Sequence, residues 1–131
     1  MLLSLLDQSP VSEGSTASDA LQNTINLAQH AERLGYHRFW VAEHHNSEGL
    51  AGSSPEIMIG AIASATETIR VGSAGVMLTH YSPYKVAENF RVLEDGKFPK
   101  LSTDFDKGGG AKATFFTTVA EYPRLRPGLH E

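Results

Sequence analysis

The chain has 131 residues, the length of one ordinary domain, and its composition, 40% apolar and 20% charged, is typical of a globular protein. It contains no cysteine, which excludes disulfide scaffolds, thiolate zinc sites and cysteine nucleophiles. The net charge of −4 argues against nucleic-acid binding, and no apolar run approaches the ~20 residues of a membrane span. Residues 1–10 also lack the basic start of a secretory signal, so we expect a cytoplasmic protein without a membrane partner.

Charge and glycine content change near Glu94. Residues 1–94 carry ten acidic and five basic side chains, whereas residues 95–131 carry five acidic and six basic ones. The second part also contains Gly108-Gly109-Gly110, a run that is typical of a flexible linker. We therefore expect two parts: a regular domain at residues 1–94 and a divergent or rearranged, irregular tail at residues 95–131.

The first part begins with a strand and a helix. The apolar run at residues 2–6 predicts a buried strand, because the turn-rich sequence Asp7-Gln8-Ser9-Pro10 follows it. Thr16 and Asp19 then predict a helix start of the capping-box kind, with Asp in place of the usual Glu or Gln. Gly35 is suited to the end of this helix, where a residue free to adopt positive φ is favoured.

Two further strand–helix units follow. Residues 39–42 and 69–78 predict strands, the second interrupted by small residues at 72–75. Ser54-Pro55 and Ser82-Pro83 each predict a helix start, since a hydroxyl N-cap before proline favours the first helical turn. The apolar positions expected to be buried on these two helices are Ile57, Met58, Ala61, Ile62 and Ala65, and then Val86, Ala87, Phe90 and Leu93.

Such alternation predicts right-handed βαβ crossovers and a parallel sheet. Eight units would need about 250 residues, the usual size of a TIM barrel, and the sequence offers about three. We therefore expect an α/β fold of the TIM-barrel type with about three βα units, either as a partial barrel or as a small open sheet.

Polar residues follow each expected strand, where ligands of parallel α/β folds bind. Because imidazole titrates near neutral pH, adjacent His44 and His45 are candidates for a general base or a hydrogen-bond donor. The alternative is a capped strand end whose histidines bond to the backbone. A metal site is disfavoured, because adjacent side chains of an extended chain, here Glu43, His44 and His45, point to opposite faces.

Residues 3–94 resemble the bacterial luciferase-like family of flavin-dependent monooxygenases, which are TIM barrels. The resemblance rests on motifs that occur in the family's order and spacing: Asp7-Gln8-Ser9-Pro10, Phe39-Trp40-Val41-Ala42-Glu43-His44-His45, Arg70-Val71-Gly72-Ser73-Ala74-Gly75 and Ser82-Pro83-Tyr84-Lys85.

The resemblance implies that reduced FMN and O₂ oxygenate a small organic substrate at the carboxyl-terminal mouth of the barrel. It implies that His44 is the catalytic residue beside the flavin, and that Glu43, Ser73, Ala74 and Gly75 bind the cofactor. It also implies a non-proline cis peptide between Ala74 and Gly75. NAD(P)H would act indirectly, through a separate flavin reductase or on the protein itself.

The chain departs from the family after the third helix. The family continues into a fourth strand whose arginine helps to hold the flavin phosphate, whereas this chain continues with Asp95-Gly96-Lys97-Phe98-Pro99-Lys100. We therefore expect a truncated enzyme that is weak or inactive; the alternatives are a non-catalytic flavin-binding remnant and an oligomeric interaction module. Unpaired sheet edges predict a homo-oligomer, and the β-prone residues 115–119 are expected to pair with one edge.

Overall fold

The computed structural model describes residues 1–95 and 113–115. Within these residues the elements follow the order β1 (Ser4–Asp7), α1 (Ala17–Arg33), β2 (Arg38–Val41), α2 (Pro55–Ala65), β3 (Arg70–Ser73), α3 (Pro83–Asp95) and β4 (Ala113–Phe115). The four strands form one parallel sheet in the order β1-β2-β3-β4. The predicted α/β fold with three strand–helix units is therefore confirmed for residues 1–95.

The tail contributes to the sheet. Residues 113–115 form β4, which pairs with β3 through Val71 and Ala113, so the expectation of an irregular tail is wrong at these positions. Pairing of a tail segment with a sheet edge is confirmed at Phe115, and the rest of the predicted segment lies outside the described residues.

Helices and sheet enclose one core. The side chains of β2 alternate, so that Phe39 and Val41 are buried while Arg38 and Trp40 are partly exposed. Phe39 and Val41 pack in a cluster with Ile59 and Ile62 of α2, and α1 and α3 add Ala28, Ala31, Val86, Phe90 and Leu93. Fully burying an aliphatic or aromatic side chain contributes roughly 1.5–3 kcal/mol, so this cluster is the main source of stability.

Local sequence explains where the helices begin. The Thr16 hydroxyl accepts the Asp19 N–H at 3.2 Å, and the Asp19 carboxylate accepts the Thr16 N–H at 2.8 Å, which confirms the capping box. The Asp19 carboxylate accepts hydrogen bonds from the Thr16 hydroxyl, at 2.6 Å, and from the Thr16 N–H, and these two bonds lower the pKa of Asp19. Helices α2 and α3 begin at Pro55 and Pro83, as their serine–proline pairs predict.

Some predicted bounds and faces are wrong. β1 is half exposed instead of buried, with Leu6 52% exposed, because its side chain points away from the core that the helices cover. β3 ends at Ser73 and does not continue to residue 78, since the chain turns at Ser73. Ile57 is 68% exposed and Ala87 is exposed, because each lies on the outer side of its helix.

A carboxylate of α1 organises the turn before β3. Glu32 accepts the backbone N–H groups of Glu67 at 2.7 Å and Ile69 at 2.9 Å, and also bonds to Thr68. Burial raises the pKa of Glu32, but the bonds from Thr68, Ile69 and Glu67 outweigh burial and lower it below its ordinary value. The charged carboxylate therefore holds the entry to β3 against α1.

Replacing Glu32 with alanine should lower the free energy of unfolding by about 1–3 kcal/mol at neutral pH, because the exposed Glu67 N–H and the buried Ile69 N–H would lose a charged acceptor. Since the folded-state pKa is lowered, the contribution is complete above the ordinary value of 4.5 and is lost as pH falls through the folded value. Urea unfolding across this pH range measures both effects. Glu13→Ala, at an exposed loop position, is the control, and equal urea midpoints for Glu32→Ala and the parent at neutral pH would refute the assignment.

Candidate functional site

The carboxyl ends of three strands meet at one edge of the sheet. Asp7 pairs with Val41, and Val41 pairs with Ser73, so the strands end level with one another. The pairing continues one residue further. Ala42 donates its N–H to the backbone carbonyl of Asp7 at 3.0 Å, and Ala74 donates its N–H to the backbone carbonyl of Val41 at 2.8 Å. The segments that follow these strands, here the first (residues 8–16), second (42–54) and third (74–82) βα loops, therefore leave the sheet side by side.

Glu43 lies inside this edge. Its side chain is only 1% exposed, and one carboxylate oxygen lies 2.5 Å from Nε2 of His45. The other oxygen accepts the Met77 N–H at 2.8 Å, which joins the second loop to the third. The ring of His45 also lies against His80, with centroids 4.7 Å apart.

Tyr81 borders the same group. The pKa of the Tyr81 phenol is raised, and burial is the largest cause. The hydrogen bond to Glu43 and the negative charges of Glu43 and Glu56 raise this pKa further. The phenol therefore stays protonated well into alkaline conditions and remains a hydrogen-bond donor. Sequence reasoning missed Met77 and Tyr81, because nothing local relates them to a glutamate more than thirty positions earlier.

His44, the next residue of the second loop, has different contacts from Glu43. Its backbone N–H donates to the Gly52 carbonyl at 2.9 Å. Its ring Nε2 is buried and has no hydrogen-bond partner among the residues that the structure describes. His44 lines an open pocket of about 580 Å³ whose other lining residues are Asn46, Ser47, Glu48, Leu50, Ala51 and Ser53. A polar atom in this condition is suited to receive a ligand.

The end of β3 is a turn of small residues. The buried Ser73 hydroxyl donates to the Gly75 carbonyl and lies 3.2 Å from the Gly75 N–H, which donates to it. The cis peptide that the family resemblance implied between Ala74 and Gly75 is wrong for this structure, in which the described peptide bonds are all trans. A Cβ added at Gly75 would meet nothing within 4 Å, so the space beside this backbone is open.

The first loop supports the second. Val11 donates its N–H to Gly49, and Ala51 donates to Ser9, both at 2.9 Å. A Cβ at Gly52 would lie 3.3 Å from the Ser9 hydroxyl oxygen, so a side chain there would press the loops apart. Sequence reasoning missed this role of Gly52. The available signal was the glycine, because a glycine can mark a place where two segments approach closely.

Thr24 connects the first loop to α1. Its hydroxyl is buried, lies 2.5 Å from a carboxylate oxygen of Asp7 and 2.8 Å from the Ser9 hydroxyl. The Thr24 hydroxyl also lies 3.1 Å from the Ala20 carbonyl oxygen, so it joins α1, Asp7 and Ser9 in one hydrogen-bonded group. Asp7, which the sequence places at a strand end, thus serves to fix the loop.

The structure brings the predicted residues to one edge. His44 and Glu43 follow β2, and Ser73, Ala74 and Gly75 end or follow the neighbouring β3. In residues 1–95 and 113–115, no three His, Cys, Asp or Glu side chains are grouped as ligands of a metal ion. The same residues include no helix with the length and apolar character that a membrane span requires.

Comparisons with known proteins agree with this architecture. The uncharacterized protein YwcH of Bacillus subtilis is 73% identical over 92 residues, which are 70% of this chain and 28% of that protein. N-acetyl-S-alkylcysteine monooxygenase of Bacillus subtilis is 62% identical over 123 residues, 93% of this chain and 37% of that protein. The second match reaches past residue 95, into the tail. The chain thus spans well under half of the length of these relatives.

Solved structures show the same fold. The crystal structure of apo-MsnO8 matches with a TM-score of 0.70 and 55% identity, over 72% of this chain and 29% of that one. The oxygenating constituent of 3,6-diketocamphane monooxygenase from the CAM plasmid of Pseudomonas putida, solved in complex with FMN, matches with a TM-score of 0.63 and 25% identity. That match covers 68% of this chain and 25% of the other.

The family profile described as luciferase-like monooxygenase matches residues 1–95, the part of the chain that holds the three strand–helix units and the polar edge. This match spans more than half of the 131 residues and includes the motifs at Glu43-His44-His45 and Ser73-Ala74-Gly75. The chain belongs to the luciferase-like monooxygenase family.

Proposed function

We propose that this chain supplies part of the flavin site of an FMN-dependent monooxygenase that uses reduced FMN and O₂ to oxygenate a small organic substrate. The observation that carries the proposal is His44, which lines the pocket of the second loop and whose buried Nε2 has no partner among the described residues. Burying such an atom is costly unless a ligand or water completes its hydrogen bonding. The FMN complex of a structural relative supports flavin as that ligand.

His44 is suited to move a proton at the site. When bound, reduced FMN supplies the oxygen chemistry, and protein groups bind, orient and shield it. The His44 backbone N–H is bonded to the Gly52 carbonyl, which holds this part of the second loop in place. A histidine side chain is among the groups that act as general acids or bases, which makes His44 the candidate for that role at this edge.

The end of β3 supplies a second surface for the ring. Ser73, Ala74 and Gly75 present backbone and small side chains, so a planar ligand can lie close to the chain. Glu43, which the family resemblance implied as a cofactor-binding residue, is enclosed within the same edge and supports this wall from behind. Together these residues form one wall of the proposed site, within the partial barrel that we infer from the family fold.

The substrate class and partners extend the proposal. A relative with 62% identity is named as an N-acetyl-S-alkylcysteine monooxygenase, which makes small thioethers the first substrates to test. NAD(P)H would supply electrons indirectly, through a flavin reductase or on the protein itself. A cytoplasmic location stays a prediction from composition.

Replacing Gly75 with valine should weaken FMN binding by about tenfold or more, because the side chain enters space that the protein leaves open beside the proposed flavin. Replacing His44 with alanine should weaken binding about 2–10-fold through loss of one hydrogen bond. Quenching of FMN fluorescence measures both dissociation constants.

Gly49→Val is the matched control for Gly75→Val, since a Cβ at Gly49 also meets nothing within 4 Å. We expect Gly49→Val to bind FMN as the parent does. Equal affinities for the parent, Gly75→Val and His44→Ala would place the flavin elsewhere and contradict the proposal.

The 131 residues by themselves should bind FMN more weakly than micromolar and show little or no turnover. The side chains placed at this edge, His44, Glu43 and Ser73, include no arginine or lysine to neutralise the phosphate. FMN titration, together with mass spectrometry of N-acetyl-S-alkylcysteine incubated with reduced FMN and O₂, tests this expectation. A micromolar dissociation constant or sustained formation of oxygenated product would overturn it.

We also propose that the chain self-associates. Ile57 and Val92, 68% and 64% exposed, flank a groove of about 660 Å³ between α2 and α3. Exposed apolar surface of this kind favours contact between copies. Ile57→Ser with Val92→Ser should lower the molar mass measured by light scattering, whereas Leu34→Ser, on an exposed residue outside the groove, should not. A monomeric parent protein would refute self-association.

A further inference from the structure

We infer that Glu43 is a positioning residue: its buried carboxylate bridges the second and third βα loops and so holds the His44 segment and the Ser73–Gly75 turn in register. The contacts of the bridge are observed within residues 42–82. Its effect on flavin binding rests on the proposed function. It gives Glu43 a role that differs from direct contact with a cofactor.

Both carboxylate oxygens of Glu43 are engaged in this bridge. One accepts the Met77 N–H at 2.8 Å, and the other lies 2.5 Å from Nε2 of His45. The side chain is 1% exposed, so neither oxygen is open to a ligand. The Glu43 carboxylate can therefore affect a bound molecule only by positioning the loops that contain Met77 and His45.

The bridge lies where the backbone hydrogen bonds between β3 and β2 end. β3 leaves the sheet at Ser73, and the last backbone bond of its pairing is from Ala74 to Val41. Beyond that point the Met77 N–H has no strand partner in β2 and takes the Glu43 carboxylate instead. The third loop is therefore held to β2 by one side chain at the place where backbone pairing ends.

The bridge also sets the state of His45. A carboxylate only accepts hydrogen bonds, so Nε2 of His45 carries the proton toward Glu43. The ring then rests against His80 of the third loop, which adds a second contact between the two loops. His44 and His45 thus have different surroundings: His45 is bonded to Glu43, while His44 lines the pocket of the second loop.

Two substitutions test the bridge in the full chain without flavin. Glu43→Ala removes both acceptors, and we expect amide hydrogen exchange at Met77 to accelerate at least ~10-fold, since a hydrogen bond to a charged group is lost. Glu43→Gln keeps the shape and an acceptor for the Met77 N–H, so exchange there should rise less. Its amide N–H₂ faces His45 instead, and ¹⁵N spectra should show the His45 ring proton moving from Nε2 to Nδ1.

Glu13→Ala, at an exposed position of the first loop, should change neither measurement. If Glu43→Ala does not fold by circular dichroism, the isosteric Glu43→Gln and the His45 spectrum decide alone. Unchanged Met77 exchange and unchanged His45 nitrogens in the folded variants would overturn the inference, because a bridge cannot be removed without freeing its partners.

FMN titration of the same variants separates the bridge from the proposed function. With both correct, the dissociation constant should rise about tenfold in Glu43→Ala and less in Glu43→Gln. Parent protein that fails to bind FMN, with Met77 exchange altered in the variants, would contradict the proposed function and support the bridge. Normal FMN affinity in Glu43→Ala would overturn the positioning role.

Discussion

The parallel, in-register pairing of the first three strands is the constraint on which the rest of the site depends. Asp7, Val41 and Ser73 lie level across the sheet, so the chain leaves all three strands at the same edge. Parallel strands require crossovers of a dozen or more residues, and here each crossover is a helix packed on the buried face. Loops rich in polar residues are thereby gathered at one side, while the apolar positions meet beneath them.

Carboxylates act in the same way at the two ends of β3. Before the strand, Glu32 accepts N–H groups from Glu67 and Ile69 and ties the entry of β3 to α1. After the strand, Glu43 accepts the Met77 N–H and ties the exit of β3 to β2. In each case a charged acceptor satisfies backbone groups at a point where ladder pairing stops, which is where unpaired groups would be costly.

The loops gain their rigidity from backbone bonds and close approach rather than from apolar burial. The first and second loops exchange hydrogen bonds through Ser9 and Gly49, and Gly52 lets them approach because a side chain would meet the Ser9 hydroxyl. A rigid frame of this kind keeps the His44 ring at its pocket without filling the pocket. The same arrangement leaves open space beside Gly75.

Local sequence by itself determined the helix starts and the order of elements. The Thr16–Asp19 capping box and the prolines at 55 and 83 act within one helical turn, so their effect can be read without the fold. The family motif likewise placed His44 at a strand end. Only the tertiary structure decided that β3 stops at Ser73, that Ile57 faces outward, and that Glu43 meets Met77, 34 positions along the chain. These outcomes depend on contacts between elements distant in sequence, for which local spacing carries no information.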